Sequence, residues 1–263
     1  MPEMSSYEPG TPSWIDFGAP DMEAAIDFYE GLFGWQAEEA GDPAETNGYR
    51  MFTMDGKAVA GGMETQVENH PAAWTTYITV EDVDATVETA RELGAQVVAE
   101  PMDVMTAGRM AVLTDPEGAV FALWQPGEHI GAEIANEFNT LTWNELRSRD
   151  PEAAKAFYGK LFGWDGLQFE AMEGYTVWTV GDVGPEQGKG GMIDMAATDM
   201  PEGIPAHWDV TFSVEDSDEI ASKCVELGGS VAAGPIDIPM GRMYTLQDPG
   251  GATFTAMTFN QAS

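Results

Sequence analysis

Apolar side chains in the first half of the chain follow a helical spacing in two places. Residues 22–33 carry apolar residues at intervals of three and four, preceded by Asp21 and followed by Gly34. Aspartate caps a helix because its side chain accepts hydrogen bonds from free backbone N–H groups, and glycine adopts the left-handed conformation that often ends one. A second such stretch lies between Asp82 and Gly94. Both stretches predict amphipathic helices.

Alternating runs of apolar and polar residues between these helices predict strands. The runs 49–54 and 57–63 are separated by Asp55-Gly56, a dipeptide typical of tight hairpin turns. The runs 108–114 and 119–124 are separated by a turn that contains proline and glycine. With the short strand that precedes each helix, the predicted order of elements is β-α-β-β-β, and it occurs twice in this half.

The second half of the chain repeats the first in four blocks that keep their order. Such a repeat indicates duplication of a whole folding unit. We therefore predict two domains, 1–130 and 131–263, each with two β-α-β-β-β units. The matched blocks begin at Trp14 and Trp143, at Asp21 and Asp150, at Trp74 and Trp208, and at Gly108 and Gly241.

Charge narrows the range of partners. The 263 residues include 45 acidic and 11 basic side chains, for a formal net charge of −34. A surface of that sign repels phosphate backbones and anionic lipids, so we expect neither a nucleic acid nor a membrane as partner. Adaptation to high salt and an ordinary acidic protein both explain the charge.

Targeting and redox signals are few. No apolar run reaches the roughly 18 residues of a membrane span, and the first residues lack the basic and apolar stretches of a signal peptide. Cys224 is the one cysteine, so no internal disulfide forms. It aligns with Ala90 on the inner face of a predicted helix, which favours a small buried hydrophobe over a nucleophile. We expect a cytoplasmic protein.

Two motifs carry a family resemblance. Phe28-Tyr29 followed by Leu32-Phe33-Gly34-Trp35, and the turn Thr114–Gly118 before a last strand, resemble the vicinal oxygen chelate superfamily. That superfamily includes glyoxalase I, bleomycin-resistance proteins, fosfomycin-modifying enzymes and extradiol dioxygenases. The tandem arrangement is similar to two-domain actinobacterial glyoxalase-like proteins, mycobacterial ones included. The resemblance implies an α+β fold of tandem glyoxalase-like domains. In each, a pair of units forms a curved sheet around a cleft for a small molecule and, in the enzymes, a divalent metal.

The resemblance also implies positions for metal ligands, and most of them hold unsuitable residues. Indole, methyl and hydroxyl groups do not supply the nitrogen and carboxylate ligands of a divalent ion. We expect no metal cofactor in the first domain. The alternative is a residual divalent site at Asp209 and Asp194 in the second. The implied positions are Trp14, Thr75 and Ala122, with a fourth at Gly62–Glu64, and Trp143, Asp209 and Thr255, with a fourth at Ile193 or Asp194.

The three histidines do not restore a metal site. His70 and His129 fall in connecting segments, whereas His207 shares the face of Asp209 because it lies two residues earlier on one strand. We interpret all three as hydrogen-bonded or exposed imidazoles.

Strand alternation places a carboxyl group in each cleft. Since residues two apart share a face, Asp16 follows Trp14 into the first cleft and Glu145 follows Trp143 into the second. A carboxylate shielded by indole has a raised pKa and can act as a general base, so Asp16 and Glu145 are our candidate catalytic residues. The candidate ligand-binding residues are Trp14, Tyr77, Trp124, Trp143, Asp209 and Thr255.

Arg109 and Arg242 stand at equivalent positions that we place near the rims of the two clefts. They are candidate catalytic residues, holding a ligand carboxylate or enolate oxygen. The alternative, at even weight, is that Asp16–Arg109 and Glu145–Arg242 are structural ion pairs.

Three functions stay open at this point. The first is a glyoxalase-type lyase or isomerase that acts on a small oxygenated metabolite through proton transfer at Asp16 or Glu145. The second is a bleomycin-resistance type of protein that sequesters a planar aromatic compound between tryptophans. The third is a metal-dependent lyase or dioxygenase with its site in the second domain, the half where we expect any chemistry to lie. Glyoxalase I activity is not expected, because it needs a metal to polarise the enediolate. Each of the three functions is compatible with a monomer or a homodimer.

Overall fold

The first half of the chain builds one eight-stranded sheet. The computed structural model describes residues 3–65, 72–181, 183–198 and 200–260. The elements of the first half are β1 (Pro12–Ala19), α1 (Met22–Phe33), β2 (Gln36–Glu39), α2 (Pro43–Thr46), β3 (Arg50–Met54), β4 (Lys57–Glu64), β5 (Ala73–Thr79), α3 (Val83–Glu92), β6 (Gln96–Val104), β7 (Gly108–Thr114) and β8 (Val120–Pro126).

The second half builds an equivalent sheet from eight further strands. Its elements are β9 (Thr140–Ser148), α4 (Pro151–Phe162), β10 (Asp165–Gln168), β11 (Tyr175–Thr179), β12 (Gly190–Asp194), β13 (His207–Ser213), α5 (Ser217–Glu226), β14 (Ser230–Ile238), β15 (Gly241–Gln247) and β16 (Thr253–Phe259). Two short 3₁₀ turns, Pro185–Gln187 and Met195–Ala197, flank β12. The predicted α+β fold and its four β-α-β-β-β units are confirmed.

The first strands of two units meet at the centre of each sheet. The strand orders are β2-β3-β4-β1-β5-β8-β7-β6 and β10-β11-β12-β9-β13-β16-β15-β14. β1 and β5 run antiparallel with Asp16 opposite Thr75, and β9 and β13 run antiparallel with Glu145 opposite Asp209. This register brings the candidate acids of both halves to the middle of their sheets.

The helices begin where the sequence predicts. Asp21 accepts a hydrogen bond from the Ala24 amide at 3.0 Å, and Asp150 accepts one from Ala153 at 3.1 Å. Gly34 ends α1 with φ of 75°, in the left-handed region that glycine tolerates. None of the described helices is long and apolar enough to cross a membrane.

The helix-covered faces of the two sheets pack against each other. One buried cluster joins residues of α1, such as Phe33, to Phe212 and Phe254 of the second half, and another joins Phe121 to Tyr158 and Trp164. The aromatic repeat therefore lies at the junction of the halves, where its burial stabilises their packing. Cys224 is buried in the first of these clusters, as predicted, and burial raises the pKa of its thiol to about 11.

Polar groups of the repeat are satisfied across this junction. The Tyr29 hydroxyl donates to Asp248 Oδ2 at 3.0 Å, and the Tyr158 hydroxyl donates to Asp115 Oδ2 at 2.9 Å. Each tyrosine in turn accepts from an indole N–H, that of Trp74 or Trp208. Buried polar groups without such partners are costly, so these matched bonds fix how the halves dock.

Candidate binding clefts

The helix-free face of the first sheet carries a second set of buried aromatic side chains. We call this face, with the segments that cover it, the N-terminal cleft. Partly buried Met51, Val104, Met110 and Val112 surround its centre. The central residues are Trp14, Ala58, Tyr77, Ala122, Trp124 and Ala132. The residues of β1, β5 and β8 that face the cleft are therefore those that alternation along these strands predicts.

Two hydrogen bonds connect the aromatic residues and the carboxyl group of the N-terminal cleft. The Trp14 indole donates to the Tyr49 hydroxyl at 3.1 Å. The Tyr77 hydroxyl donates to Asp16 Oδ2 at 2.7 Å. Tyr49 also lowers the pKa of Asp16, so this carboxyl group lies beside two phenols inside an aromatic wall.

Burial controls the acidity of this group. Desolvation raises the pKa of Asp16 to about 6, even though hydrogen bonds from Tyr77 and Tyr49 oppose the shift. Burial, with the charge of Asp16 next, raises the pKa of both tyrosines well above their usual value, so they remain donors. Asp16 therefore exchanges a proton near neutral pH, the range that suits a general acid or base.

This pKa predicts how stability depends on pH. Because ionisation of Asp16 in the folded state is unfavourable, its contribution to stability falls as pH rises from about 4 to about 7, by on the order of 3 kcal/mol. In urea titrations, the free energy of unfolding of the natural chain minus that of Asp16→Asn should therefore fall as pH rises over this range. Asp27→Asn, an exposed position on α1, is the control and should show no comparable trend. A pH-independent difference for Asp16→Asn would contradict the assignment.

The C-terminal cleft, the helix-free face of the second sheet, repeats this arrangement. The Trp143 indole donates to the Tyr175 hydroxyl at 2.8 Å, and Tyr175 lowers the pKa of the Glu145 carboxyl. Burial raises the pKa of Glu145, whereas the charge of Arg147 opposes that shift. Indole, phenol and carboxyl thus stand in the same order in both clefts.

An ion-pair network distinguishes the C-terminal cleft. The Arg147 guanidinium lies 2.6 Å from Asp209 Oδ2 and, through Nε, 3.7 Å from Glu145 Oε1. Thr255 also donates to Asp209 Oδ2, at 2.8 Å. Burial alone would lower the pKa of Arg147, but the charges of Asp209 and Glu145 outweigh it and raise that pKa.

Apart from Glu145, whose counterpart is Asp16, the members of this network have uncharged counterparts in the first half. Gly18 occupies the position of Arg147, since it lies four residues after Trp14 as Arg147 lies four after Trp143. The positions of Asp209 and Thr255 hold Thr75 and Ala122. The two clefts therefore share a hydrogen-bonded carboxyl but differ in charge around it.

The two arginines predicted at the rims face the other side of their sheets. Arg109 binds Asp84 at 2.7 Å and Asp103 at 2.8 Å. Arg242 pairs in the same way with Asp218 of α5 and Asp237 of β14. The predicted pairs Asp16–Arg109 and Glu145–Arg242 are not formed. Alternation explains this: Met110 faces the cleft, so its neighbour Arg109 faces α3.

The residues present do not fit the divalent metal that the resemblance implies. In the N-terminal cleft the hydrogen bond that Asp16 accepts comes from the Tyr77 phenol, and Asp16 belongs to no trio of metal-ligating side chains among the described residues. In the C-terminal cleft the guanidinium of Arg147 occupies the space between Asp209 and Glu145. Asp194 caps a 3₁₀ turn by accepting from the Ala196 amide at 2.9 Å, rather than joining Asp209. No trio of His, Cys, Asp or Glu side chains in the described ranges is arranged to hold an ion.

A depression of about 400 Å³ opens at one end of the N-terminal cleft. Met51 and Ala58 line it from the sheet, and Met105 lines it from the turn between β6 and β7. His129 closes its floor, with its ring 4.5 Å from that of Trp14 and its Nε2 unpaired within the described part of the chain. Burial lowers the pKa of His129, which keeps the imidazole neutral.

Several of these residues escaped sequence reasoning. Arg147 lies on the same face of β9 as Trp143 and Glu145, because it is two residues beyond Glu145. Extending the alternation by one step along this strand therefore predicts a cleft-facing arginine. Tyr49 and Tyr175 precede or begin the third strand of their units at matching places, and comparison of the halves would have signalled them. The sequence places His129 in a connecting segment, and no local pattern relates that segment to Trp14. His207 bonds the Pro205 carbonyl at 2.8 Å, and His70 lies outside the described residues.

Comparison with known proteins agrees with this architecture. The family model for the glyoxalase/bleomycin resistance protein/dioxygenase superfamily matches residues 11–123 and 138–255. The chain belongs to this superfamily. The two matched segments correspond to the two sheets, so each half is a complete glyoxalase-like domain.

Relatives of known sequence extend over the whole tandem. The chain is 41% identical to CFP32 of Mycobacterium tuberculosis, a protein named as a glyoxylase, and the match covers 98% of each chain. It is 38% identical to the anthracycline biosynthesis protein DauV of Streptomyces sp. strain C5, with 98% of this chain and 97% of that one covered.

Solved structures share the fold at low identity. A Mn(II)-bound glyoxalase from Novosphingobium aromaticivorans superposes with a TM-score of 0.64 at 15% identity, covering 95% of this chain and 82% of that one. The 2,3-dioxygenase LapB from Pseudomonas sp. KL28 gives a TM-score of 0.63 at 13% identity, with 96% and 93% covered. These similarities concern the fold, because function resides in the site residues.

Proposed function

We propose that the N-terminal cleft binds a small oxygenated aromatic compound without a divalent metal, and that Asp16 exchanges a proton with it. The observation that carries the proposal is the Asp16 carboxyl, which accepts a hydrogen bond from Tyr77 at 2.7 Å and whose pKa burial raises to about 6. Glu145 is the matching carboxyl of the C-terminal cleft, where it lies beside Arg147.

The surroundings of the cleft favour a flat, mostly apolar ligand. The depression beside His129 is about 400 Å³, within the usual size range of small-molecule sites. Met51, Ala58 and Met105 give it an apolar part, and Glu128 and Glu133 also line it. Thioethers and indoles form good contacts with aromatic rings. The unpaired Nε2 of His129 offers one hydrogen bond to a ligand hydroxyl or carbonyl.

The relatives narrow the ligand class further. DauV and the 37% identical DnrV of Streptomyces peucetius are both named for anthracycline biosynthesis. Anthracyclines contain a hydroxylated anthraquinone, a planar and oxygen-rich ring system. We therefore choose the hydroxyanthraquinone quinizarin as the probe for this cleft.

The chemistry open to the cleft is proton transfer. At neutral pH the ionised Asp16 takes a proton from an acidic O–H or C–H of the ligand, and its conjugate acid returns that proton to another ligand atom or to solvent. Tyr49 and Tyr77 stay protonated and compensate the changing charge on the carboxyl. This sequence suits an isomerase or a lyase that acts on an oxygenated ring.

Sequestration without turnover is the second candidate. It is favoured by the hydrogen bond from Tyr77, which satisfies the Asp16 carboxyl in the absence of a ligand. Recovery of unchanged ligand after prolonged incubation at saturating protein would support sequestration, and a changed absorption spectrum of the recovered ligand would support an enzyme.

Binding of quinizarin tests the proposal directly. We expect quinizarin to quench tryptophan fluorescence equally with and without EDTA, because no metal takes part. Asp16→Asn should weaken binding at pH 7.5 by about 10-fold or more, the size expected when a bond to a charged group is lost. His129→Leu should weaken it by about fivefold, since one neutral hydrogen bond is lost.

The matched controls lie outside the cleft. His207→Gln removes a histidine of the second half, and Asp27→Asn removes an exposed carboxylate of α1; neither should change the affinity. Binding that EDTA abolishes, or that Asp16→Asn leaves unchanged, would overturn the proposal.

A further inference from the structure

Hydroxyl side chains form one wall of the C-terminal cleft. Thr211 of β13 pairs with Thr255 of β16, and Thr255 pairs with Thr245 of β15. Because residues paired across neighbouring strands point to the same face, the three threonines form a continuous row. The row starts beside Trp143, the partner of Thr211 on β9. It spans two strand spacings, about 10 Å, which is long enough for a single six-membered ring with its substituents.

The equivalent wall of the N-terminal cleft has a different chemistry. Tyr77 pairs with Ala122, and Ala122 pairs with Val112, so the row that starts at Trp14 holds one phenol and is otherwise apolar. Threonine and valine are similar in shape, and both suit a strand. The difference between Val112 and Thr245 therefore concerns hydrogen bonding more than packing.

The ion-pair network beside the threonine row has unused hydrogen-bonding capacity. Nε of Arg147 is buried and has no hydrogen-bond partner among the described residues. Its distance to Glu145 Oε1 is 3.7 Å, which is too long for a hydrogen bond. Because a buried donor without a partner is costly, a ligand hydroxyl that accepts from Arg147 and donates to Glu145 would complete the network.

The opposite side of the C-terminal cleft is apolar and aromatic. The Trp143 ring is half-buried, whereas its counterpart Trp14 is only 3% exposed. Partly buried Phe169, Met172 and Met200 pack against the same apolar cluster as Trp143. The cleft therefore presents an indole to one side of a ligand, and hydroxyl, carboxylate and guanidinium groups to the other.

This combination discriminates between classes of ligand. A flat apolar compound would leave the hydroxyl and ionic groups without partners, which is costly. An anion would be repelled by Glu145 and Asp209, which lie directly opposite each other. A neutral sugar has an apolar C–H face that suits an indole, and its hydroxyl groups both donate and accept hydrogen bonds.

We propose that the C-terminal cleft binds a neutral carbohydrate ring. Trp143 lies against the apolar face of this ring, and Thr245 and Arg147 bind its hydroxyl groups. The cleft and the ligand both differ from those of the quinizarin experiment, so the two proposals fail independently.

Methyl β-D-glucopyranoside is the probe for this proposal. In ¹H–¹⁵N NMR spectra it should shift the indole resonance of Trp143, assigned with Trp143→Phe, until the shift saturates. The indole resonance of Trp14, in the other cleft, should not move. Cyclohexanol, which has a ring of the same size and one hydroxyl group, should bind at least 10-fold more weakly, because most of the hydroxyl contacts are lost.

Substitutions at Thr245 separate a hydrogen bond from a change of shape. Thr245→Val copies Val112 of the first half and should weaken sugar binding by about fivefold, since one neutral hydrogen bond is lost. Thr245→Ser retains the hydroxyl and should bind nearly as well as the natural chain. Thr89→Val removes a hydroxyl from an exposed position on α3 and should leave the affinity unchanged. The resonances of the other tryptophans show whether each variant retains the fold.

Three results would overturn the proposal. The first is a Trp143 resonance that none of the methyl glycosides of glucose, galactose and mannose shifts. The second is equal affinity for cyclohexanol and the sugar, which would mean that the hydroxyl groups are not recognised. The third is an unchanged affinity in Thr245→Val.

Discussion

Replacing Phe254 with alanine is expected to lower the free energy of unfolding of the whole chain by about 3 to 5 kcal/mol. Phe254 lies on β16 in the second half and is fully buried. Its ring is 5.9 Å from those of Tyr29 and Phe33, both on α1 of the first half. The substitution leaves a cavity at the junction of the halves, and urea denaturation followed by fluorescence measures the loss.

A second phenylalanine on the same strand provides the control. Phe259 is 42% exposed at the end of β16, so Phe259→Ala should change the free energy of unfolding by about 0.5 kcal/mol or less. If the halves depend on each other as the shared clusters indicate, Phe254→Ala should also preserve a single unfolding transition. Equal effects of the two substitutions would contradict this description of the core.

Arg147→Met should lower the free energy of unfolding by about 3 to 5 kcal/mol at pH 7, because it leaves two buried carboxylates without a cation. The loss should shrink as pH falls. Burial raises the pKa of Glu145 already, and removal of the neighbouring positive charge raises it further, so the acid takes up a proton and the repulsion ends. Urea titrations of the variant at several pH values between 4 and 8 measure this trend.

Arg242→Met is the matched control for that series. Its guanidinium is 37% exposed and pairs with exposed Asp218 and Asp237, so the free energy of unfolding should change much less than in Arg147→Met. Adding Asp209→Asn to Arg147→Met should recover part of the lost stability, because one of the two unpaired charges is removed. A pH-independent loss, or no recovery, would contradict the assigned role of Arg147.

Periodicity in the sequence predicts most of the fold because the same physical rule acts at every position. Side chains alternate along a strand, so Ile15 and Phe17 had to face the helices once Trp14 faced the cleft, and the structure confirms this. Capping is equally local, and Asp21 and Asp150 cap α1 and α4 as predicted.

Contacts between distant strands are harder to predict. Arg109 lies on β7, which β8 and β5 separate from β1, so a pair with Asp16 would span the width of three strand spacings. Its true partners, Asp84 and Asp103, come from the adjacent helix and strand. Sequence similarity between the halves revealed that the arginines are equivalent, but not which face they share.

The two clefts show how duplicated domains diverge while they keep one framework. Indole, phenol and carboxyl are retained in both, as Trp14, Tyr49 and Asp16 in one cleft and by their counterparts in the other. Around this framework the first half has uncharged residues and a depression beside His129, whereas the second half has the network of Arg147. We therefore expect a neutral aromatic ligand in the first cleft. The sequence alone favoured the second half as the location of any chemistry.

The protonation of Asp16 tests the central claim most directly. Carbon-13 NMR of the side-chain carboxyl groups, assigned with Asp16→Asn, should show one resonance that titrates with a midpoint at about pH 6. Saturating quinizarin should move that midpoint in the presence of EDTA, because the ligand alters the surroundings of the same carboxyl. A midpoint near 4, or one that quinizarin leaves unchanged, would contradict the role proposed for Asp16.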